Sequence, residues 1–117
     1  FQPTVLTDVP LDAEVMVEEP FGPIAMINRF GALEEALSEA NRLPYGLSAY
    51  AYTTSLSSAN RIYSGMESGA ISINHHHVAL PEQPFGGVRD SGYGAEGGPG
   101  ALEAFMVPKF VSIASLL

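Results

Sequence analysis

No cysteine occurs among the 117 residues. That excludes disulfides, thiolate metal sites and a cysteine nucleophile together, and it says little about compartment, for which the cytoplasm is the default expectation. Cations are scarce as well: five Lys and Arg stand against thirteen Asp and Glu, a formal net charge of −8. Neutralising phosphates needs clustered cations, so no nucleic acid is expected as a partner. An anionic membrane surface is disfavoured on the same ground. No apolar run approaches the roughly 20 residues of a membrane helix, and no basic segment opens the chain. We expect no membrane partner.

What is present suits a small folded chain. Apolar residues make up 46% of the sequence, enough to expect one domain with a closed core, since domains of this size hide about two-thirds of the unfolded surface. The 12 Gly and 9 Pro are spread along the chain and read as turns rather than low complexity. The sequence opens at Phe1 without an initiator Met and runs at once into Val5 and Leu6. We expect a piece of a longer chain.

Hydrophobic spacing predicts a helix over residues 32–43. Leu33, Ala36, Leu37, Ala40 and Leu43 form one stripe, with Glu34, Glu35, Glu39 and Arg42 outside it. Pro44 disfavours helical geometry at Leu43 and stops it. A second helix is expected after Ser55, a suitable N-cap, with Leu56, Ala59, Ile62, Tyr63 and Met66 on one face and Gly69 as a left-handed C-cap. Strand-like runs occupy 24–30, 47–53 and 70–74. Strand–helix–strand–helix–strand with short connections predicts an α/β fold with a mostly parallel sheet. Residues 75–100 lose periodicity, and irregular stretches of that length are usually functional. Residues 100–105 read as one helical segment, and 109–117 alternate like a strand.

Few residues carry chemistry by themselves. Glu18 and Glu19 are adjacent, so in an extended segment at most one faces a given site. They are either a solvated turn, or Glu19 bonds sugar hydroxyls as acidic residues do in dinucleotide sites, with Phe21 as an apolar wall. The glycines of residues 86–98 lack the spacing of a phosphate loop and read as tight turns and close packing. His75, His76 and His77 are consecutive, which makes convergent tetrahedral ligation a poor fit. Glu82 is the only nearby carboxylate of note. A loop or pocket lining is expected of the histidines, and no metal. Tyr45, Tyr50, Tyr52 and Tyr63 read as packing. No G-x-S-x-G elbow accompanies the histidines.

Order makes the segments specific. EEPFGP (18–23), ANRLPYGLSA (40–49), GAISIN (69–74), PFGGVRDSG (84–92) and EGG (96–98) follow one another at compatible spacing. In this order the chain resembles the C-terminal part of the aldehyde dehydrogenase superfamily, from about residue 15 to 115. The wording of 90–98 is most similar to bacterial semialdehyde dehydrogenases of the succinate-semialdehyde type.

The resemblance implies the closing part of an aldehyde dehydrogenase catalytic domain over residues 1–108, then an oligomerisation strand over 109–117 that pairs with another subunit. It implies that Glu19 bonds the nicotinamide-side ribose and that Phe21 packs near the nicotinamide ring. It places Asn74 at the end of the strand leading to the substrate funnel. His75, His76 and His77 then line that funnel, Phe85 forms an aromatic wall, and Gly86 and Gly87 make the turn beside it. The family's catalytic cysteine, general-base glutamate, asparagine oxyanion donor and Rossmann domain all lie upstream of this segment. The chain is therefore expected to hold no catalytic residue and to be inactive alone. NAD or NADP and a small aldehyde belong to the full-length parent, with no tight cofactor binding by this chain alone. Ala95 stands where many relatives have a basic residue, Arg89 where others often have Lys, and the histidine triplet is not a general family feature. Two other readings are an interaction or oligomerisation module with the same fold, and an unrelated acidic ligand-binding domain built on the histidine loop.

Overall fold

Parallel strand pairing organises the computed structural model, which describes residues 1–115. The chain divides into two units, Phe1–Leu43 and a second beginning at Pro44.

In the first unit β1 (Thr4–Thr7) runs parallel to β2 (Ile24–Ile27), with Thr4 opposite Ile24 and Thr7 opposite Ile27. A 3-10 turn, Glu14–Met16, lies on the connection. The helix α1 (Leu33–Ala40) follows. Its free N-terminal amides are met by Glu35, whose carboxylate accepts from the backbone N–H of Gly31 at 2.9 Å and of Ala32 at 3.3 Å. α1 ends three residues before the expected limit of 43. Beyond it the Arg42 N–H turns back to the Glu39 carbonyl, and its guanidinium grips the Glu39 carboxylate at 2.9 and 3.0 Å and the Met16 carbonyl at 3.0 Å. The hydrogen bond to Glu39 raises the Arg42 pKa above its ordinary value.

The second unit begins with β3 (Tyr45–Gly46), β4 (Ser48–Ala51), α2 (Leu56–Gly65) and β5 (Ala70–Ile73). β4 and β5 are parallel, Ser48 opposite Ala70 and Ala51 opposite Ile73, so β4–α2–β5 is the expected crossover unit. Ser55 is the N-cap, its Oγ accepting from the Ser58 N–H at 3.2 Å. A short β6 (Val88–Arg89) pairs antiparallel with β3. The expected helical segment near the C-terminus is a 3-10 helix, Pro99–Phe105.

Three expectations need correcting. The strands form separate two-stranded sheets rather than one, and the partner of β2 is β1. Four residues with two apolar side chains gave β1 too weak a signal to be read as a strand. Gly69 is not a left-handed cap, since α2 ends at Gly65 with Met66 in extended geometry. Gly69 instead lets two segments touch: a Cβ there would run into the Gly86 carbonyl oxygen. Finally, no closed core forms among the described residues. Ile62, at 8% exposure, is the buried apolar side chain, and Ser72, at 1%, the buried polar one.

Residues 106–115 carry no strand among the described residues. Of the segment expected as an oligomerisation strand, 109–117, the described part has no ladder among the described residues, and Leu116 and Leu117 lie outside them.

Candidate functional site

Glu19 and Phe21 sit in the loop that leads into β2. Backbone bonds from Gly22 to Pro20 and from Ile24 to Gly22, at 2.9 and 2.8 Å, curl this loop tightly. Prolines at 20 and 23 remove two backbone donors and fix local geometry. The two candidate side chains are thereby left outward. Glu19 is exposed and Phe21 is 96% exposed. Among the described residues no hydrogen bond engages the Glu19 carboxylate, which keeps its acceptor positions open. An aromatic ring with no cover and an uncommitted carboxylate two residues away can contact a planar ring and a pair of vicinal hydroxyls.

The histidine loop is launched by Asn74. Its φ is 63°, a left-handed conformation that Asn tolerates better than most residues, so the chain turns off the line of β5. The Asn74 carboxamide holds the turn in place: Oδ1 accepts from the Thr53 N–H at 2.8 Å and Nδ2 donates to the Thr53 carbonyl at 2.9 Å. Just before it, the buried Ser72 hydroxyl lies 2.8 Å from both Nδ1 and the carbonyl oxygen of His75. The His77 backbone N–H donates to the same Nδ1 at 3.2 Å. The rings follow one another, with 6.2 Å between the centroids of His75 and His77 and 4.6 Å between those of His76 and His77. Among the described residues no group of three or more His, Asp or Glu side chains could hold a metal ion.

Phe85 begins the glycine-rich stretch and pairs with Glu96 in a narrow bridge, Phe85 N–H to Glu96 carbonyl at 2.7 Å and the return bond at 2.8 Å. The bridge pinches residues 86–95 into a closed loop. Gly97 and Gly98, at φ 68° and 65°, turn the chain out of it, where a side chain would be strained. Within the loop, Ser91 Oγ accepts from the Gly46 N–H at 2.9 Å, and Arg89 pairs with Glu67 at 3.3 Å. Arg89 thus has its own acidic partner.

The predicted pocket residues fall into two cavities. His75 and His77 line one of about 300 Å³ together with Gln83. Phe85 lines another of about 540 Å³, with Leu47, Tyr93 and Phe105. His76 lines neither. Glu19 and Phe21 belong to the first unit and the histidines and Phe85 to the second. Ser72 and Gln83 were not anticipated. A serine in a strand and a glutamine between prolines have no distinctive spacing, and only the tertiary contacts single them out.

The family is decided by similarity over nearly the whole chain. The profile of the aldehyde dehydrogenase family matches residues 1–111. This chain belongs to the aldehyde dehydrogenase family. It is 49% identical over 109 residues to a 4-(hydroxymethyl)benzenesulfonate dehydrogenase of Comamonas testosteroni, covering 93% of this chain and 23% of that protein. Over 113 residues it is 39% identical to the NADP-type succinate-semialdehyde dehydrogenase of Escherichia coli, covering 97% and 23%. The crystal structure of betaine aldehyde dehydrogenase from Staphylococcus aureus, in complex with NAD+, superposes with a TM-score of 0.86 at 33% identity, over 92% of this chain and 21% of that one. The chain therefore spans about a quarter of the length of the curated relatives it matches. The α/β fold with parallel strands agrees with that membership, and an unrelated ligand-binding domain is set aside.

Proposed function

We propose that this chain is the C-terminal part of an NAD(P)-dependent aldehyde dehydrogenase that oxidises an aldehyde, of the semialdehyde type, to a carboxylate. The observation that carries this reading is the family match across residues 1–111. The many large apolar side chains left exposed, Phe105, Phe110 and Ile113 among them, support it, since a finished protein covers much of such surface.

The nicotinamide cofactor, when bound, supplies the hydride acceptor. The residues here fit it: Glu19 offers a free carboxylate to the ribose hydroxyls, and Phe21 offers an uncovered ring to the nicotinamide. Their part is to hold the acceptor in place, because a small misplacement at a reacting centre is costly. His75, His76 and His77 together with Phe85 border the aldehyde's approach. The nucleophile, its base and the oxyanion donor come from outside this chain, so the chain by itself oxidises nothing. Residues 109–117 serve as the strand that joins one subunit to another.

The test is to express the complete reading frame and this chain side by side and follow NAD and NADP reduction with an aldehyde panel that includes succinate semialdehyde. The complete protein is expected to reduce cofactor and the chain alone is not. Reduction by the chain alone removes the claim of inactivity, and a folded complete protein that reduces neither cofactor with any aldehyde removes the dehydrogenase reading.

A further inference from the structure

Two of the three consecutive histidines face one space and the third does not. His75 and His77 line the cavity of about 300 Å³ at β5, and His76 does not. Three convergent ligands were a poor fit on spacing, and no such trio forms among the described residues. A pair does form. The centroids of the His75 and His77 rings are 6.2 Å apart, with 23° between the planes. Two imidazoles on one tetrahedral ion, at metal–nitrogen distances of about 2.1 Å, set their centroids roughly 5 Å apart. A small rotation of the exposed His77 ring closes that difference. Behind His75 stands Ser72, 1% exposed, with Oγ 2.8 Å from both the carbonyl oxygen and Nδ1 of that residue. A hydroxyl has one proton. With that proton on the carbonyl, Oγ accepts from Nδ1–H, and the neutral ring keeps its lone pair on Nε2. The His77 N–H, at the longer distance of 3.2 Å from the same nitrogen, favours the other tautomer. A cation on Nε2 needs the lone pair there and selects the first.

We propose that His75 and His77 together bind one divalent transition-metal ion, Zn²⁺ for instance, with Nε2 as the ligand atom of His75. Water completes the coordination. Ser72 is the positioning residue: it takes the Nδ1 proton of His75 and so fixes both the tautomer and the direction of the ring, as outer partners of metal-bound histidines do. The lining chooses the class of ion. No Asp or Glu borders the cavity, so hard cations such as Mg²⁺ and Ca²⁺ find no carboxylate there. Imidazole suits zinc, nickel and copper instead. The net charge of −8 draws cations of every kind toward the chain, and the two rings supply the selection. This site goes beyond the aldehyde dehydrogenase reading and does not depend on it.

The test is equilibrium dialysis of the complete protein against Zn²⁺, followed by elemental analysis. The protein is untagged and its thiols are alkylated beforehand, so that neither a histidine tag nor a cysteine competes. The double variant His75→Gln with His77→Gln is expected to lose one zinc ion per subunit relative to the parent. His76→Gln, at the position outside the cavity, is expected to keep it. Ser72→Ala should weaken zinc binding by about tenfold, the usual effect of removing an outer partner, and Ser72→Thr should restore it. A large excess of Mg²⁺ should leave the zinc in place. An unchanged zinc count in the double variant overturns the site. An equal loss in His76→Gln overturns it too, because the ion is then held by a loose run of histidines rather than by the pair. Displacement by Mg²⁺ also overturns it, since carboxylates of the acidic surface then hold the ion. Each of these results leaves the dehydrogenase reading untouched, and cofactor reduction by the complete protein tests that reading separately.

Discussion

The Asn74 carboxamide takes both backbone polar groups of Thr53, its N–H at 2.8 Å and its carbonyl at 2.9 Å. The same device closes the other parallel pair: Asn28 accepts from the Val9 N–H and donates to the Val9 carbonyl, both at 2.9 Å. In each case an Ile-Asn step ends a strand, and a side-chain amide continues the ladder one position past it. The backbone is then free to depart while the neighbouring strand's polar groups stay paired. At Asn74 that departure, with φ at 63°, sends the chain into the histidine loop.

Replacing Asn74 with Ala should therefore loosen Thr53 before anything else. Two hydrogen bonds are lost, and Ala is less comfortable than Asn at positive φ, so a cost of about 1–3 kcal/mol is expected. Asn74→Gly removes the same bonds without the backbone strain and should cost less. Amide hydrogen exchange on the complete protein reads this directly. The Thr53 amide should exchange faster in both variants, and unchanged exchange there rules the clamp out as a support for the loop.

Gly69 is predicted to be intolerant of even a methyl group. A Cβ would occupy the place of the Gly86 carbonyl oxygen, and neither backbone is the yielding end of a flexible side chain. Gly69→Ala should lower stability by about 1–3 kcal/mol, the usual range for overpacking. Denaturant midpoints compared with those of Gly22→Ala settle the point, since a Cβ at Gly22 meets nothing within 4 Å. Equal small losses at both positions would count against the contact.

Much of this architecture could be read from the sequence, and the reason differs by element. α2 has a hydroxyl cap and a regular apolar face, two local signals that agree, and it formed where expected. β4 and β5 carry short β-rich runs flanked by turns. β1 pairs with a strand that starts 17 residues after it ends, and nothing in four residues announces a distant partner. Gly69 misled for a related cause: a glycine just past a helix suggests a cap, whereas here its use is set by the approach of Gly86. In the candidate site, the motifs marked Glu19, Phe21, the histidines and Phe85. They did not reveal that His75 and Phe85 line different cavities, that Gln83 lines the one with His75, or that Ser72 bonds His75, because those facts depend on side-chain direction. The expectation of a closed core failed since apolar content counts side chains and not the surfaces available to cover them.

In the complete enzyme, Glu19→Gln should weaken the hold on the cofactor ribose, because a charged acceptor binds hydroxyls more strongly than a neutral amide. A loss of about tenfold in the rate of hydride transfer is expected, with aldehyde attack less affected. Phe21→Ala should act in the same direction by loosening the nicotinamide ring. Single-turnover reduction of cofactor separates the steps. If both variants reduce cofactor at the parental rate in a single turnover, the loop before β2 does not position the acceptor.

The chain alone should associate with itself through its C-terminal segment. Phe110 and Ile113 are 91% and 88% exposed, Val111 is exposed beside them, and no strand among the described residues pairs with 106–115. Unpaired backbone flanked by apolar side chains is a template for another chain. Opposing this is the net charge of −8, which repels like copies over the ~10 Å reach of the field at 0.1 M salt. The balance gives the prediction its sign. Added salt shortens that reach without weakening apolar contact, so the associated fraction should rise with ionic strength. Deleting residues 109–117 should lower it at every salt concentration. Light scattering across a salt series, on the intact and shortened chains, measures both effects. A monomer at high protein concentration and moderate salt, whether or not the segment is present, means that this stretch is no interface.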